Sequence, residues 1–268
     1  MPLAKVGAIS LSYDVLGDGQ PLVMINGFAS ARNGLFILAR AFAKEYRVIT
    51  FDNRGIGGSD KPAGVYTMTM MADDTIGLMD FMGIDKAHLL GMSLGGMVAQ
   101  QIAIDHPERV KKLILCSTSA GGQPLKDMLF DLTEATTPGW NRSQSDLASA
   151  DLGKLVIAMT SRTFNQPFSR WLFVSLNKFL LNSGTLKVPA GQLAAMLTHD
   201  VLDRLHLIQA PTLVMTGSQD RLMPPHSSEE LAARIAGARL VILEGGSHSL
   251  EGVMSRFTQD VLDFLQSN

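Results

Sequence analysis

The stretch His88-Leu89-Leu90-Gly91-Met92-Ser93-Leu94-Gly95-Gly96-Met97-Val98-Ala99 decides how this chain is read. Leu89-Leu90 is a short, strand-like apolar run. Gly91-Met92-Ser93-Leu94-Gly95 fits the pattern G-x-S-x-G, and residues 97–103 continue with the apolar face of a helix. Strand, sharp turn and helix in that order form the context in which the pattern carries chemistry. A serine on so tight a turn has strained backbone angles and an exposed hydroxyl, and flanking glycines remove Cβ atoms that would collide. The first N–H groups of the following helix lack partners and offer a positive dipole end where an oxyanion would form. The competing explanation is a glycine-rich turn that only packs a helix on a sheet. The strand–helix context and the additional Gly96 favour a nucleophile at Ser93.

Outward from this turn, elements alternate. Residues 8–15 alternate like an antiparallel edge strand, and 17–21 form a turn. Leu22–Ile25 is a continuous apolar run, as in a strand covered on both faces, and it ends in Asn26-Gly27-Phe28. A helix over 35–44, a strand over 47–51, a polar loop over 52–59 and a helix over 70–82 follow. Strand 87–90 feeds the turn, helix 96–106 stops at Pro107, and 110–116 is a further strand. The alternation resumes with strand 210–216, helix 227–236, strand 239–243 and helix 254–266. This predicts an α/β protein with a mostly parallel, twisted sheet of about eight strands and helices on both faces.

Between the two halves the alternation fails. Helical patterns occur near 125–135, 147–164, 168–181 and 189–205, with no convincing strand. The predicted organisation is a core over 1–120, a helical cap over 121–205 and the rest of the core over 206–268. The cap holds seven of the chain's 14 Phe and Trp residues: Phe130, Trp140, Phe164, Phe168, Trp171, Phe173 and Phe179. Some must pack the cap on the core. Collectively they predict an apolar pocket between cap and sheet, with Phe28, Met92, Trp140, Phe164 and Trp171 as its candidate substrate-binding residues.

Composition sets bounds. The chain has 268 residues, enough to bury about three-quarters of its unfolded surface. The apolar share of 46% and charged share of 18% are ordinary for a globular enzyme. A net charge of −2 gives no reason to expect nucleic acid or an anionic membrane as partner. The single cysteine, Cys116, rules out an internal disulfide and argues against a thiolate metal site. No signal-peptide core opens the sequence and no apolar run approaches membrane-spanning length, so the expected setting is cytoplasmic. The expected partner is a small-molecule substrate, and the expected state a monomer or homodimer.

A serine hydroxyl needs a base, usually a histidine oriented by a carboxylate. Of the six histidines, His248 lies in Glu244-Gly245-Gly246-Ser247-His248-Ser249, directly after the last apolar strand. In a parallel sheet that loop emerges at the same end as the Ser93 turn. His88 precedes the turn as a structural residue, His106 ends a helix, His199 and His206 fall in or at the end of the cap, and His226 starts a helix. Asp220, in the loop after strand 210–216, is placed to orient His248; alternatively it closes its own turn. The order Ser93, Asp220, His248 is that expected of such a hydrolase. Two N–H donors for an oxyanion would come from Leu94, after the nucleophile, and Phe28, which Gly27 allows to approach closely.

These motifs together resemble the α/β-hydrolase superfamily, in the branch of cofactor-free esterases, enol-lactonases, perhydrolase-type haloperoxidases and C–C hydrolases. The resemblance rests on Asn26-Gly27-Phe28, Phe51-Asp52-Asn53-Arg54-Gly55, residues 91–96, 217–220 and 246–248, and is weak over the cap. It implies the α/β-hydrolase fold and loop-shaping roles for Asp52 and Arg54. The family usually has His-Gly at the oxyanion loop. Asn26 stands in the histidine's place and is expected to keep the loop's shape by bonding neighbouring backbone. The leading expectation is a serine hydrolase of a carboxylic ester or lactone, working through an acyl-enzyme with no metal or organic cofactor. The rivals are a C–C bond hydrolase of a vinylogous diketone, with Arg142, Arg162, Arg170 and Lys178 available to hold a carboxylate, and a ligand-binding or signalling protein on a hydrolase scaffold with slow turnover.

Overall fold

Successive side chains of a strand point to opposite faces, so a strand that is apolar throughout demands cover on both. The β3 strand, Gln20–Ile25, shows this: Val23 and Ile25 join one apolar cluster, Leu22 and Met24 another on the opposite face. The computed structural model describes residues 2–136, 152–182 and 189–267. Among them one sheet of eight strands forms. The others are β1 Leu3–Val6, β2 Ile9–Leu16, β4 Tyr46–Phe51, β5 Ala87–Met92, β6 Val110–Cys116, β7 Thr212–Gly217 and β8 Arg239–Leu243. Their order is β1-β2-β4-β3-β5-β6-β7-β8. The β1–β2 and β2–β4 pairs are antiparallel and the other pairs parallel. The mostly parallel sheet of the sequence reading is thus present. β1 was not among the strands read: it has four residues, with only Ala4 and Val6 turned inward, too few for a period to show.

Helices cover both faces. On the Val23 side lie α2 (Met68–Phe81), α3 (Leu94–Asp105) and α8 (Pro225–Arg234), through Met71, Met97, Ile102 and Leu231. On the Met24 side lie α1 (Phe36–Phe42) and α9 (Met254–Gln266), through Leu38, Phe42, Phe257 and Val261. Phe257, Val261 and Phe264 recur at helical spacing, giving α9 one apolar stripe. Each such side chain, fully buried, contributes about 2 kcal/mol of transfer free energy. The α2 helix begins where the Thr67 hydroxyl accepts the Met70 N–H at 3.1 Å.

Among the described residues four helices lie between β6 and β7: α4 (Gly122–Thr136), α5 (Leu152–Thr163), α6 (Pro167–Asn182) and α7 (Ala190–Thr198). The chain leaves and re-enters the sheet layer at one point. Gly121 and Asp200 form an antiparallel bridge, the Gly122 N–H donates to the His199 carbonyl at 2.9 Å, and the Val201 N–H donates to Ala120 at 3.0 Å. That bridge corrects the expected helix over 189–205. Extended backbone at His199 and Asp200 ends α7 at Thr198, and a separate 3-10 turn follows over Leu202–Leu207. The part of the expected 147–164 helix before residue 152 lies outside the described residues.

Candidate active site

Ser93 directly follows β5 with φ 54° and ψ −120°, and α3 starts at the next residue. The helix therefore begins two residues earlier than its sequence pattern suggests. A left-handed, non-glycine residue is strained, and the surroundings hold it in place. The Ser93 N–H donates to the Cys116 carbonyl at 2.9 Å, and its carbonyl accepts the Thr118 hydroxyl at 2.7 Å and the Gly96 N–H at 2.9 Å. Gly95 explains the motif: a Cβ there would sit 2.0 Å from the Ile25 carbonyl oxygen. The start of α3 lies directly against the end of β3, which brings the serine beside the Asn26–Ala29 loop.

Asp220 lies past the end of β7 and is buried. Its Oδ1 accepts the N–H groups of Leu222 at 2.9 Å and Met223 at 2.7 Å. Its Oδ2 faces Nδ1 of His248 at 2.8 Å. A carboxylate oxygen accepts in such a contact, so the imidazole tautomer that fits it has its hydrogen on Nδ1 and offers Nε2 as an acceptor. The turn-closing role and the histidine-orienting position thus coexist on separate oxygens. Ser93 and His248 line the same cavity. No hydrogen bond joins the Ser93 hydroxyl to His248 among the described residues; such contacts commonly close only on substrate.

The N–H groups of Phe28 and Leu94 have no acceptor within the chain among the described residues. The loop that presents Phe28 is braced by buried polar groups. The Asn26 side chain donates to the Phe51 carbonyl at 3.3 Å, and the Asn53 side chain donates to the Asn26 carbonyl at 3.1 Å. Asn26 therefore bonds neighbouring backbone, as its position required. Asp52 accepts the Arg32 N–H at 2.7 Å, the Arg32 guanidinium at 2.6 Å and the Gly58 N–H at 2.8 Å. Arg54 holds Asp74 bidentately at 2.5 and 2.6 Å, so neither faces the cavity as a free charge. Gln192, a buried residue of α7, accepts the Ala29 N–H at 3.1 Å and donates to the Arg54 carbonyl at 2.9 Å. Sequence reasoning missed Gln192. Its only local signal is a lone amide in the otherwise apolar Ala190–Leu197 run.

The cavity measures about 470 Å³, within the range of small-molecule sites. Of the candidate residues Phe28, Met92 and Phe164 line it, and so do Val156, Met159, Leu222 and Phe173. Phe173, not selected from the sequence, stacks on Phe164 with ring centroids 4.3 Å apart. Trp171 is a correction: it is 64% exposed and does not line the cavity. Two residues along a helix is a turn of about 200°, so a wall that takes Phe173 and Asn177 turns Trp171 outward. Trp140 lies outside the described residues. Among the described residues the lining contains no lysine, arginine or carboxylate; Arg162, Arg170 and Lys178 are not part of it.

The other histidines stand apart from this cavity. His88, a buried residue of β5, lies 3.1 Å from the Gln20 side chain; burial, with Lys111 and Lys112 nearby, pushes its pKa down to about 4. Burial likewise lowers His199 to about 4. Among the described residues no helix is long and apolar enough to cross a membrane.

A family model described as the alpha/beta hydrolase fold matches residues 20–250. The chain is 30% identical over 247 residues to a poly(3-hydroxyalkanoate) depolymerase of Ectopseudomonas oleovorans, covering 92% of this chain and 84% of that protein. Among solved structures, the enol-lactonase from Burkholderia xenovorans LB400 gives a TM-score of 0.81 at 27% identity, over 99% of this chain and all 100% of that one. A thermophilic esterase from Thermogutta terrifontis gives a TM-score of 0.80 at 27% identity, over 99% of this chain and 97% of that one.

Proposed function

Because the chain belongs to the alpha/beta hydrolase family, we propose that it is a serine hydrolase of a carboxylic ester or lactone whose acyl or alcohol part is largely apolar. Ser93 attacks the carbonyl carbon while Nε2 of His248 takes the hydroxyl proton. Asp220 holds the Nδ1–H tautomer and stabilises the imidazolium. The N–H groups of Phe28 and Leu94 receive the oxyanion, each worth about 3 kcal/mol to the transition state. His248 then gives its proton to the leaving alkoxide. It next activates a water that releases the acid from Ser93. In a lactone, acid and alcohol leave as one hydroxy acid.

The observation that carries this reading is the Asp220–His248 bond at 2.8 Å, made to a carboxylate whose other oxygen is saturated by two backbone N–H groups. Such an arrangement serves to hold one imidazole tautomer toward the cavity that Ser93 also lines. Among the described residues the wall is uncharged and largely apolar, which favours ester or lactone over a carboxylate-bearing diketone. The p-nitrophenyl esters and simple lactones, screened by turnover and by mass spectrometry for an acyl adduct on Ser93, test the proposal. Ser93→Ala abolishes both signals. Full activity in that variant would reject the assignment, and a burst without steady turnover would favour a slow binding protein.

A further inference from the structure

The α5–α6 wall of the cavity is tied to the very loops that carry Asp220 and His248. Ser249 donates its N–H at 3.4 Å and its hydroxyl at 3.3 Å to the Thr163 carbonyl, at the end of α5. The Asn165 side chain donates to the carbonyl and side-chain oxygens of Gln219, at 3.1 and 3.2 Å. Glu251 makes the densest contact. Its Oε2 accepts the N–H groups of Asn165 at 3.2 Å and Gln166 at 3.1 Å, and its Oε1 accepts the Ser169 hydroxyl. One carboxylate thus takes three donors at the entry to α6, where unpaired N–H groups and the helix dipole favour negative charge. On its own side, the Glu251 N–H donates to the Ser247 hydroxyl at 3.2 Å. The carboxylate is thereby referenced to the residue before His248. Phe164 sits inside the turn so held, lines the cavity and stacks on Phe173.

We propose that Glu251 is a positioning residue that fixes the α5–α6 turn, and with it the Phe164–Phe173 wall, against the His248 loop, so that the enzyme selects esters and lactones by the bulk of their apolar group. This rests on the hydrolysis proposed above. Replacing Glu251 leaves the Asn165 and Gln166 N–H groups and the Ser169 hydroxyl to water, because the turn lies at the surface. The wall then shifts without the fold being lost. A general structural brace predicts something different: an equal loss for every substrate.

The test compares a short-chain and a long-chain p-nitrophenyl ester on the full chain, in wild type, Glu251→Ala, Glu251→Gln, Ser169→Ala and the Glu251→Ala/Ser169→Ala double variant. Glu251→Ala raises KM for the long ester about tenfold, the equivalent of one charge-assisted hydrogen bond, while kcat for both esters and KM for the short one stay within about twofold. Glu251→Gln, which keeps one acceptor oxygen, restores part of the loss. Ser169→Ala shifts KM in the same direction but less, and the double variant is no worse than Glu251→Ala, because the two residues share one contact. Equal changes for both esters, or additive effects of the two substitutions, would overturn the proposal. If Glu251→Ala does not fold, Ser169→Ala carries the same comparison from the opposite side of the seam. Undiminished hydrolysis by Ser93→Ala, or no hydrolysis by wild type, would instead defeat the underlying assignment.

Discussion

Replacing Asp220 with Asn changes one atom and should nearly silence the enzyme. In the wild type, Oδ1 accepts two backbone N–H groups, from Leu222 and Met223, and Oδ2 accepts the His248 Nδ1–H. An asparagine has one oxygen and one NH2 group to place. Turning the NH2 toward Leu222 and Met223 would leave those two buried donors without an acceptor, at about 1–3 kcal/mol each. The oxygen therefore stays on the backbone side and the NH2 faces His248. A donor facing Nδ1 forces the proton onto Nε2, and in the proposed mechanism Nε2 can then no longer take the serine proton. The fold and the cavity remain, but the imidazole is held in the wrong tautomer. The expected fall in kcat is about ten-thousandfold, or about 5.5 kcal/mol of barrier. Steady-state kinetics on the best ester, with urea denaturation to show an intact fold, measure it. A kcat within tenfold of wild type would refute the reasoning, because the two N–H groups would then not be dictating the amide's orientation.

Three further outcomes follow from the same geometry. Gly95→Ala drives a Cβ to 2.0 Å from the Ile25 carbonyl, a backbone atom of a central strand that cannot yield; the expected loss is about 3 kcal/mol in urea denaturation, and a loss under about 0.5 kcal/mol would show that α3 can shift freely. Phe173→Ala should change the acyl-length preference, whereas Trp171→Ala should leave kcat/KM within about twofold on every ester, since Trp171 is exposed and Phe173 lines the cavity; equal effects would place the wall wrongly. His199, held at about 4 against an ordinary 6.5, makes folding acid-sensitive. Below 6.5 the unfolded chain takes a proton that the folded chain refuses, so this stability is complete above 6.5 and is lost as pH falls toward 4, by about 3 kcal/mol in total. His199→Leu should flatten that part of the Tm–pH curve, leaving the parallel share of His88; a curve parallel to wild type would sink the idea.

What was legible in the sequence was local or directional. The Ser93 turn could be read because strand, glycines and helix are contiguous, and steric exclusion at Gly95 leaves few alternatives. The positions of Asp220 and His248 after strands could be read because a parallel sheet delivers every such loop to one end. The pocket wall could not. Whether Trp171 or Phe173 faces inward is a matter of helix phase, and α6 has large apolar residues on more than one face, so its pattern does not choose. The Gln192 brace spans 163 residues to Ala29, and the Glu251 latch spans 86 to Asn165. Neither leaves a periodic or motif signal in one chain. The end of α7 was misread for a related reason: His199 and Asp200 are extended because of Gly121, which only the return of the chain brings near.

The strand order sets a problem that these unpredicted contacts solve. β8 lies three strands from β5, and at about 4.8 Å per strand the loop carrying His248 starts about 14 Å from the strand carrying Ser93. His248 serves that serine only if its loop folds back across the end of β7. Gly217 makes this possible: a Cβ there would lie 2.1 Å from the Gly246 carbonyl, so any side chain would lift the loop away. The Gln219 N–H then fastens the same carbonyl at 2.9 Å, and the Ser218 N–H fastens Leu243 at 2.9 Å. On the other side, Ser249 and Glu251 fasten the loop to the end of α5 and the start of α6. The imidazole's reach is therefore set by the core beneath it, and the inserted helices take their position from the loop so placed. In such an arrangement the cavity wall and the imidazole proposed to move the proton share one mechanical frame. A change in the α5–α6 wall is then felt in substrate selection before it is felt in the fold.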